Sequence, residues 1–98
     1  MPTTMKKYEL MTIININQGE DGAIKVSNSV KDLIFENGGT ILNSDFWGKR
    51  NFAYEINHQN AGFYDVISFE ISAEGLMKLE SKLKFLDSIV RYLITAQS

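Results

Sequence analysis

The chain has 98 residues, of which 44% are hydrophobic and 22% charged, and its twelve Asp and Glu against ten Lys and Arg give a net charge of −2. These values predict one globular domain over residues 1–98 and argue against disorder. The lack of cysteine excludes disulfides and thiolate metal sites. No apolar stretch approaches the ~20 residues that span a bilayer, so we expect a soluble cytoplasmic protein.

The first half of the chain predicts a strand followed by a helix. Residues 1–4 carry no pattern, and we expect them to form a disordered extension. Residues 8–16 alternate with apolar side chains on both faces, as in a central strand. Apolar residues then recur at helical spacing over residues 20–37, behind two acidic residues that suit the positive end of the helix dipole. The Asn-Gly-Gly sequence at 37–39 ends this helix, because glycine adopts the left-handed conformation without strain.

The second half predicts two strands joined by a loop, a helix with a stripe of leucines, and a last strand. The first of these strands is interrupted at Gly48, where a β-bulge would let it bend. Ser72 is the expected N-cap of the helix. Gly75 weakens this helix by about 1 kcal/mol relative to Ala, a cost that the leucine stripe must offset. The expected ranges are residues 40–56 and 63–71 for the strands, 57–62 for the loop, 72–86 for the helix with its cap, and 89–95 for the last strand.

The order strand, helix, strand, strand, helix, strand predicts an α+β fold. Right-handed crossovers place the first and third strands side by side in the middle of a four-stranded antiparallel sheet, with the second and fourth strands at its edges. This is a ferredoxin-like split β-α-β sandwich, in which both helices cover one face of the sheet and the other face stays open.

Catalysis has little support in the sequence. The one histidine, His58, lies in a polar loop and has no cysteine to act with. Glycines that could hold a phosphate follow a helix, whereas a phosphate-binding loop precedes one. The spacing of His, Asp and Glu does not indicate a metal site. We therefore expect no enzyme, no metal and no cofactor.

Five short motifs occur in an order that is typical of one family. The first strand begins with Lys6-Lys7-Tyr8-Glu9, and the segment at residues 48–56 reads Gly-Lys-Arg-Asn-Phe-Ala-Tyr-Glu-Ile. They resemble the basic-basic-Tyr-Glu and Gly-x-Arg-x-Leu-Ala-Tyr-Pro-Ile elements of the family of the sixth protein of the bacterial small ribosomal subunit. Weaker matches at residues 36–39, 62–64 and 83–87 extend the resemblance over most of the chain.

The resemblance implies a structural, RNA-associated protein of the small ribosomal subunit. Its members bind the central domain of the subunit's RNA together with a partner, the eighteenth small-subunit protein. A helper suits this chain, because proteins that hold phosphates unaided usually carry a strong basic excess. By this resemblance the candidate RNA contacts are Lys6, Lys7, Lys49, Arg50 and Arg91, and the candidate partner contacts are Trp47, Arg50 and Tyr54.

The chain departs from the family pattern within the segment at residues 48–56. Phe52 stands where Leu is usual, and Asn51 stands where a second cation is often found. Glu55 replaces the proline, which restores a backbone hydrogen-bond donor. RNA contact at Asn51 is therefore not expected.

Two other classes of protein share the predicted fold. A dimeric ferredoxin-like domain that binds a regulatory ligand would use the open face to dimerise, and a dimeric α/β-barrel enzyme would need a poised acid or base in a pocket. An RNA-recognition motif would need a cation-Gly-aromatic-small-aromatic run on the third strand. Residues 61–65 lack the cation and have Asp65 where an aromatic ring should stack on a base.

Overall fold

The computed structural model describes residues 4–56 and 59–97. The four strands form one antiparallel sheet in the order β2-β3-β1-β4, which confirms the predicted ferredoxin-like fold with the first and third strands in the middle. Within the described residues, no helix is long and apolar enough to cross a membrane. The elements are β1 (Met5–Asn15), a 3-10 turn (Ile16–Gln18), α1 (Gly19–Glu36), β2 (Thr40–Ile56), β3 (Gln59–Ser72), α2 (Ala73–Leu83) and β4 (Ile89–Gln97).

Two of the sequence predictions fall partly or wholly on residues that are not described. Residues 1–3, which make up most of the expected N-terminal extension, lie outside the described residues, and so does His58. The predicted loop at 57–62 was too long, because β3 already begins at Gln59.

Alternation along the two middle strands places the core between the sheet and the helices. Leu10 of β1 is paired with Ile67 of β3, and Tyr8 is paired with Phe69. Burial of a large apolar side chain contributes about 1.5–3 kcal/mol to folding. These side chains therefore hold both helices on one face of the sheet. The buried residues of the main cluster are Tyr8, Leu10, Val30, Ile34, Ile67, Phe69, Ile71, Leu79 and Leu83.

Helix α1 ends as the sequence predicts. Gly38 has a φ of +87°, in the left-handed region. The amide of Gly39 donates to the carbonyl of Ile34 at 2.8 Å, and the amide of Gly38 donates to the carbonyl of Phe35 at 3.1 Å. This pair of hydrogen bonds is a Schellman motif, which satisfies carbonyls that the helix end would otherwise leave unpaired.

Helix α2 begins at its expected cap but ends earlier than expected. The Ser72 hydroxyl accepts a hydrogen bond from the amide of Gly75 at 3.1 Å, so Ser72 is the N-cap. The helix ends at Leu83, and residues 84–88 form turns. Leu86 continues the leucine spacing but reaches the core from the turn. The extension of the predicted helix to residue 86 was therefore wrong.

The interruption of β2 at Gly48 is the predicted bulge. The pairing of β2 with β3 shifts register between Phe46 and Gly48, and Gly48 has a φ of +83°. A side chain at this φ would strain the backbone. The shift changes which side chains of β2 point to each face of the sheet, and this decides the composition of the site described next.

Candidate interaction surface on the open face of the sheet

The face of the sheet that the helices leave uncovered, here called the open face, is apolar in its centre. Met11 of β1 is paired with Val66 of β3 on one side and with Leu93 of β4 on the other. Leu93 is 57% exposed, whereas Ile13 is only 7% exposed. Along β1 and β3 the open face presents Lys7, Glu9, Met11, Ile13, Tyr64, Val66, Ser68 and Glu70.

Three aromatic rings and one guanidinium group form a stack at the β2 side of this face. The rings of Trp47 and Tyr64 lie with their centroids 6.3 Å apart and their planes within 2°. Phe52 contacts Tyr64 with a centroid distance of 6.2 Å. The guanidinium carbon of Arg50 lies 5.6 Å from the centroid of the Trp47 ring, a cation–π contact. Trp47, Phe52 and Tyr64 are called the aromatic stack below.

The bulge at Gly48 explains why these side chains meet. Before it, Phe46 points toward the helices, where its ring stacks on Phe63 at 6.3 Å. Ordinary alternation points the next side chain, Trp47, to the opposite face, where it lies against Tyr64. The residue that the bulge inserts brings Arg50 onto the same face as Trp47. Alternation without the bulge would point Arg50 toward the helices.

Two concave regions lie on the open face. A cavity of about 310 Å³ is lined by Trp47, Arg50 and Tyr64. The Trp47 side chain is 45% exposed, and its indole nitrogen donates to a carboxylate oxygen of Asp45 at 3.0 Å. The second cavity, of about 200 Å³, lies between β1 and β4 and is lined mainly by apolar side chains. Its lining residues are Met11, Ile13, Arg91, Tyr92 and Leu93.

The five candidate cations fall into two groups at opposite ends of the sheet. Arg50 is paired with Gly62, which is paired with Asn15 at the end of β1, and Arg91 is paired with Ile13. These positions share one end of the sheet. Lys7 lies six residues before Ile13 on the same strand, a separation of about 20 Å at the usual rise of a strand. Lys49, Arg50 and Arg91, here called the cationic end, are exposed, and so are Lys6 and Lys7 at the opposite end.

Of the candidate partner contacts, the structure describes the side chains of two but not of the third. Trp47 and Arg50 are in contact with each other. Tyr54 lies in β2, but its side chain is outside the described part of the chain. Tyr64 and Phe52 complete the aromatic stack. Their aromatic character is evident in the sequence, but the pattern does not assign them to a face.

A buried carboxyl group lies on the other side of the sheet. Asp65 is fully buried, and the Ser27 hydroxyl of α1 donates to it at 2.5 Å. Burial raises the pKa of Asp65, and the Ser27 hydrogen bond and the charge of Lys31 oppose that rise. Because Asp65 and Phe63 point toward the helices, neither side chain could contact a base on the open face. In the described part of the chain no three His, Asp or Glu residues are grouped as metal ligands.

The chain is similar in sequence and structure to ribosomal proteins. The family model described as Ribosomal protein S6 matches residues 7–96. The small ribosomal subunit protein bS6 of Fusobacterium nucleatum is 41% identical over 93 residues, which cover 95% of this chain and 99% of the relative. The bS6 protein of Symbiobacterium thermophilum is 40% identical over 90 residues, which cover 92% and 95%. The crystal structure of 30S ribosomal protein S6 from Thermotoga maritima has a TM-score of 0.91 and 33% identity, covering 96% of this chain and 89% of that one.

Proposed function

The chain belongs to the ribosomal protein S6 family, and we propose on this premise that it is a structural protein of the bacterial small ribosomal subunit in the cytoplasm. It binds the central domain of the subunit's RNA jointly with the eighteenth small-subunit protein. The family consists of ribosomal proteins and not of enzymes or ligand-dependent regulators. Joint binding is supported above all by one observation: the chain has an apolar open face but a net charge of −2.

The open face supports docking of a partner protein. Apolar side chains that form a continuous surface patch mark interaction sites. Here the patch runs from the exposed Trp47 across the half-buried Tyr64 and Val66 to the exposed Leu93. Trp, Tyr and Arg are the residues that most often dominate the binding energy of a protein interface. The aromatic stack with Arg50 is therefore the expected centre of the partner contact.

The exposed cations support contact with RNA at a few phosphates. Lys49, Arg50 and Arg91 lie at one end of the sheet and are exposed, so RNA can reach them beside a docked partner. Lys6 and Lys7 provide a second, separate contact at the other end. Each neutralised phosphate releases counterions, but so few contacts on an acidic protein give weak affinity. The partner must supply the rest.

Titration of a central-domain RNA fragment in a gel-shift assay tests this division of roles. We expect weak binding by this chain alone and tight binding when the eighteenth small-subunit protein is also present. Tight binding by the chain alone would contradict the proposal.

Two matched substitutions on β2 locate the partner contact. Trp47→Ala should weaken assembly with the partner by tenfold or more, on the scale of an interface hot spot. Leu42→Ala serves as control, because Leu42 is 47% exposed on the same strand and lies five residues before Trp47. The control should stay within about twofold of the parent. Equal losses in the two variants would argue against the aromatic stack as the contact.

A further inference from the structure

The two edges of the sheet differ in how well they are protected against pairing with another strand. Strand β2 shifts register at three places along β3 and has exposed charges at Asp45, Lys49 and Arg50. Irregularities and charges of this kind prevent edge-to-edge pairing. Strand β4 pairs with β1 without interruption from Arg91 to Gln97. Arg91 is its one charged residue, and it contains neither Pro nor Gly.

Cavities flank β4 on both faces of the sheet. On the open face lies the cavity of about 200 Å³ that Met11, Ile13 and Leu93 line. On the helix side, a cavity of about 330 Å³ is lined by residues that include Leu86, Ile89 and Tyr92. The side chains of a strand alternate between the two faces of its sheet. An extended segment beside β4 would therefore direct side chains into both cavities in turn.

We propose that β4 accepts an extended segment of the partner protein as a fifth, edge-paired strand of the sheet. The segment carries large apolar side chains that fill the two cavities, while its backbone pairs with the outer amides and carbonyls of β4. This inference rests on the proposed function, since it assigns part of the partner contact. It adds a backbone contact at the β4 edge to the side-chain contact at the aromatic stack.

A second copy of this chain fits the same edge less well. Symmetric antiparallel pairing of two β4 strands over residues 91–97 would place the segment 95–97 of one copy opposite residues 91–93 of the other. Those opposing side chains are Thr, Ala and Gln, which are small or polar. They would leave unfilled the cavities that lie beside Arg91, Tyr92 and Leu93.

Amide hydrogen exchange, followed by NMR on the labelled chain with and without the eighteenth small-subunit protein, tests the proposal. In the isolated chain, amides at alternate positions from 91 to 97 point away from β1 and should exchange fast. In the complex these same amides should exchange at least about tenfold more slowly, because each gains a backbone partner. Docking on the open face alone would not produce this alternation.

The possible outcomes separate this inference from the proposed function. A complex in which the outer amides of β4 keep their fast exchange would overturn the fifth strand while leaving partner binding intact. If no complex forms, both proposals fail. Slowing that grows with the concentration of the chain, without the partner, would assign the edge to a second copy and overturn the inference.

A matched pair of exposed leucines tests the open-face cavity that the segment would fill. Leu93→Lys places a charge in that cavity and should weaken the complex by at least about tenfold, since the docked segment would bury the charge. Because Leu93 also belongs to the open face, the exchange pattern of the outer amides is what separates a fifth strand from docking on that face alone. Leu42→Lys makes the same change on the β2 edge and should have less than about a twofold effect. Equal affinity of the two variants would overturn the inference. Thermal unfolding of both variants checks that each is folded.

Discussion

The carboxyl group of Asp65 lies in the apolar interior, and its neighbours offset only part of the free-energy cost of burying its charged form. The Ser27 hydroxyl donates to one of its oxygens. Among the described residues, its other oxygen and the hydroxyl of the paired Thr12 have no hydrogen-bond partner. Lys31 of α1 favours the charged form, whereas Asp45 of β2 opposes it. Burial dominates, so the folded protein holds the Asp65 proton more tightly than the unfolded chain does.

The pKa of Asp65 determines how this group affects stability as the pH changes. Because the folded pKa is raised above the ordinary value of 3.8, the contribution of Asp65 is fully present below that value and is lost as the pH rises through the folded pKa. Asp65→Asn should therefore raise the free energy of unfolding at pH 7, by about 1 kcal/mol, because the amide is uncharged and can pair with both Ser27 and Thr12.

Urea unfolding between pH 4 and 8 checks this prediction. The advantage of Asp65→Asn over the parent should grow with pH. Asp32→Asn removes the same charge from an exposed position of α1 and should give no such trend. A variant that is less stable than the parent at every pH would show that the carboxylate is favourable where it lies.

At the level of elements, Gly75 is required by the close packing of the two helices, which helix propensity does not take into account. A Cβ atom at this position would lie 2.5 Å from the carbonyl oxygen of Asn37 and 2.9 Å from a methylene carbon of Ile71. The start of α2 therefore approaches the end of α1 too closely for a side chain. Helix propensity treats this glycine only as a cost, whereas the structure shows that the contact between the helices requires it.

Gly75→Ala should therefore destabilise the protein although alanine favours helices. The gain in propensity is about 1 kcal/mol, and the steric cost against backbone should exceed it, for a net loss of about 1–2 kcal/mol. Gly22→Ala in α1 is the matched control, since its nearest atom would be the Gln18 side chain at 3.2 Å. Thermal unfolding should show a lower midpoint for Gly75→Ala than for Gly22→Ala. The reverse order would contradict the steric explanation.

The sequence predicted the elements and their order well because each depends on local chemistry. The bulge at Gly48 and the end of α1 at Gly38 were both predicted from glycine and its neighbours, and both are confirmed. The end of α2 was not, because Leu86 contacts the core from a turn and thus repeats the helical spacing. The contacts of Arg50 with Trp47 and of Phe52 with Tyr64 could not be predicted, since they depend on how the bulge shifts the later residues of β2 onto the face of Trp47.

At the level of the whole molecule, the candidate cations are few and divided between two ends of the sheet. The net charge of −2 was enough to predict weak RNA binding by the chain alone. The end of the sheet at which each arginine lies could not be predicted, because it depends on the register of Arg50 with Gly62 and of Arg91 with Ile13. The register places both arginines beside the apolar centre of the open face, and it leaves the lysines of β1 at the far end.

This division predicts unequal effects on RNA binding by the joint complex. Replacing Arg50 and Arg91 by Gln should lower the slope of log affinity against log salt by about 1–2, since each phosphate that is no longer neutralised removes about 0.7–0.9 from it. Replacing Lys6 and Lys7 by Gln also removes two exposed charges, but it should lower the slope less. Filter binding at salt concentrations from about 50 to 300 mM measures both slopes. Similar slopes in the two double variants would show that the two ends of the sheet contribute equally.

The strand order has a consequence for how the molecule is made. Strand β1 is synthesised first and lies in the middle of the sheet, yet both of its neighbours, β3 and β4, follow residue 58. At a synthesis rate of about 5–20 residues/s, β1 therefore waits several seconds for its first partner. During that time its apolar side chains have no sheet to join, so nascent chains stalled before β3 should be sensitive to proteases and should recruit chaperones.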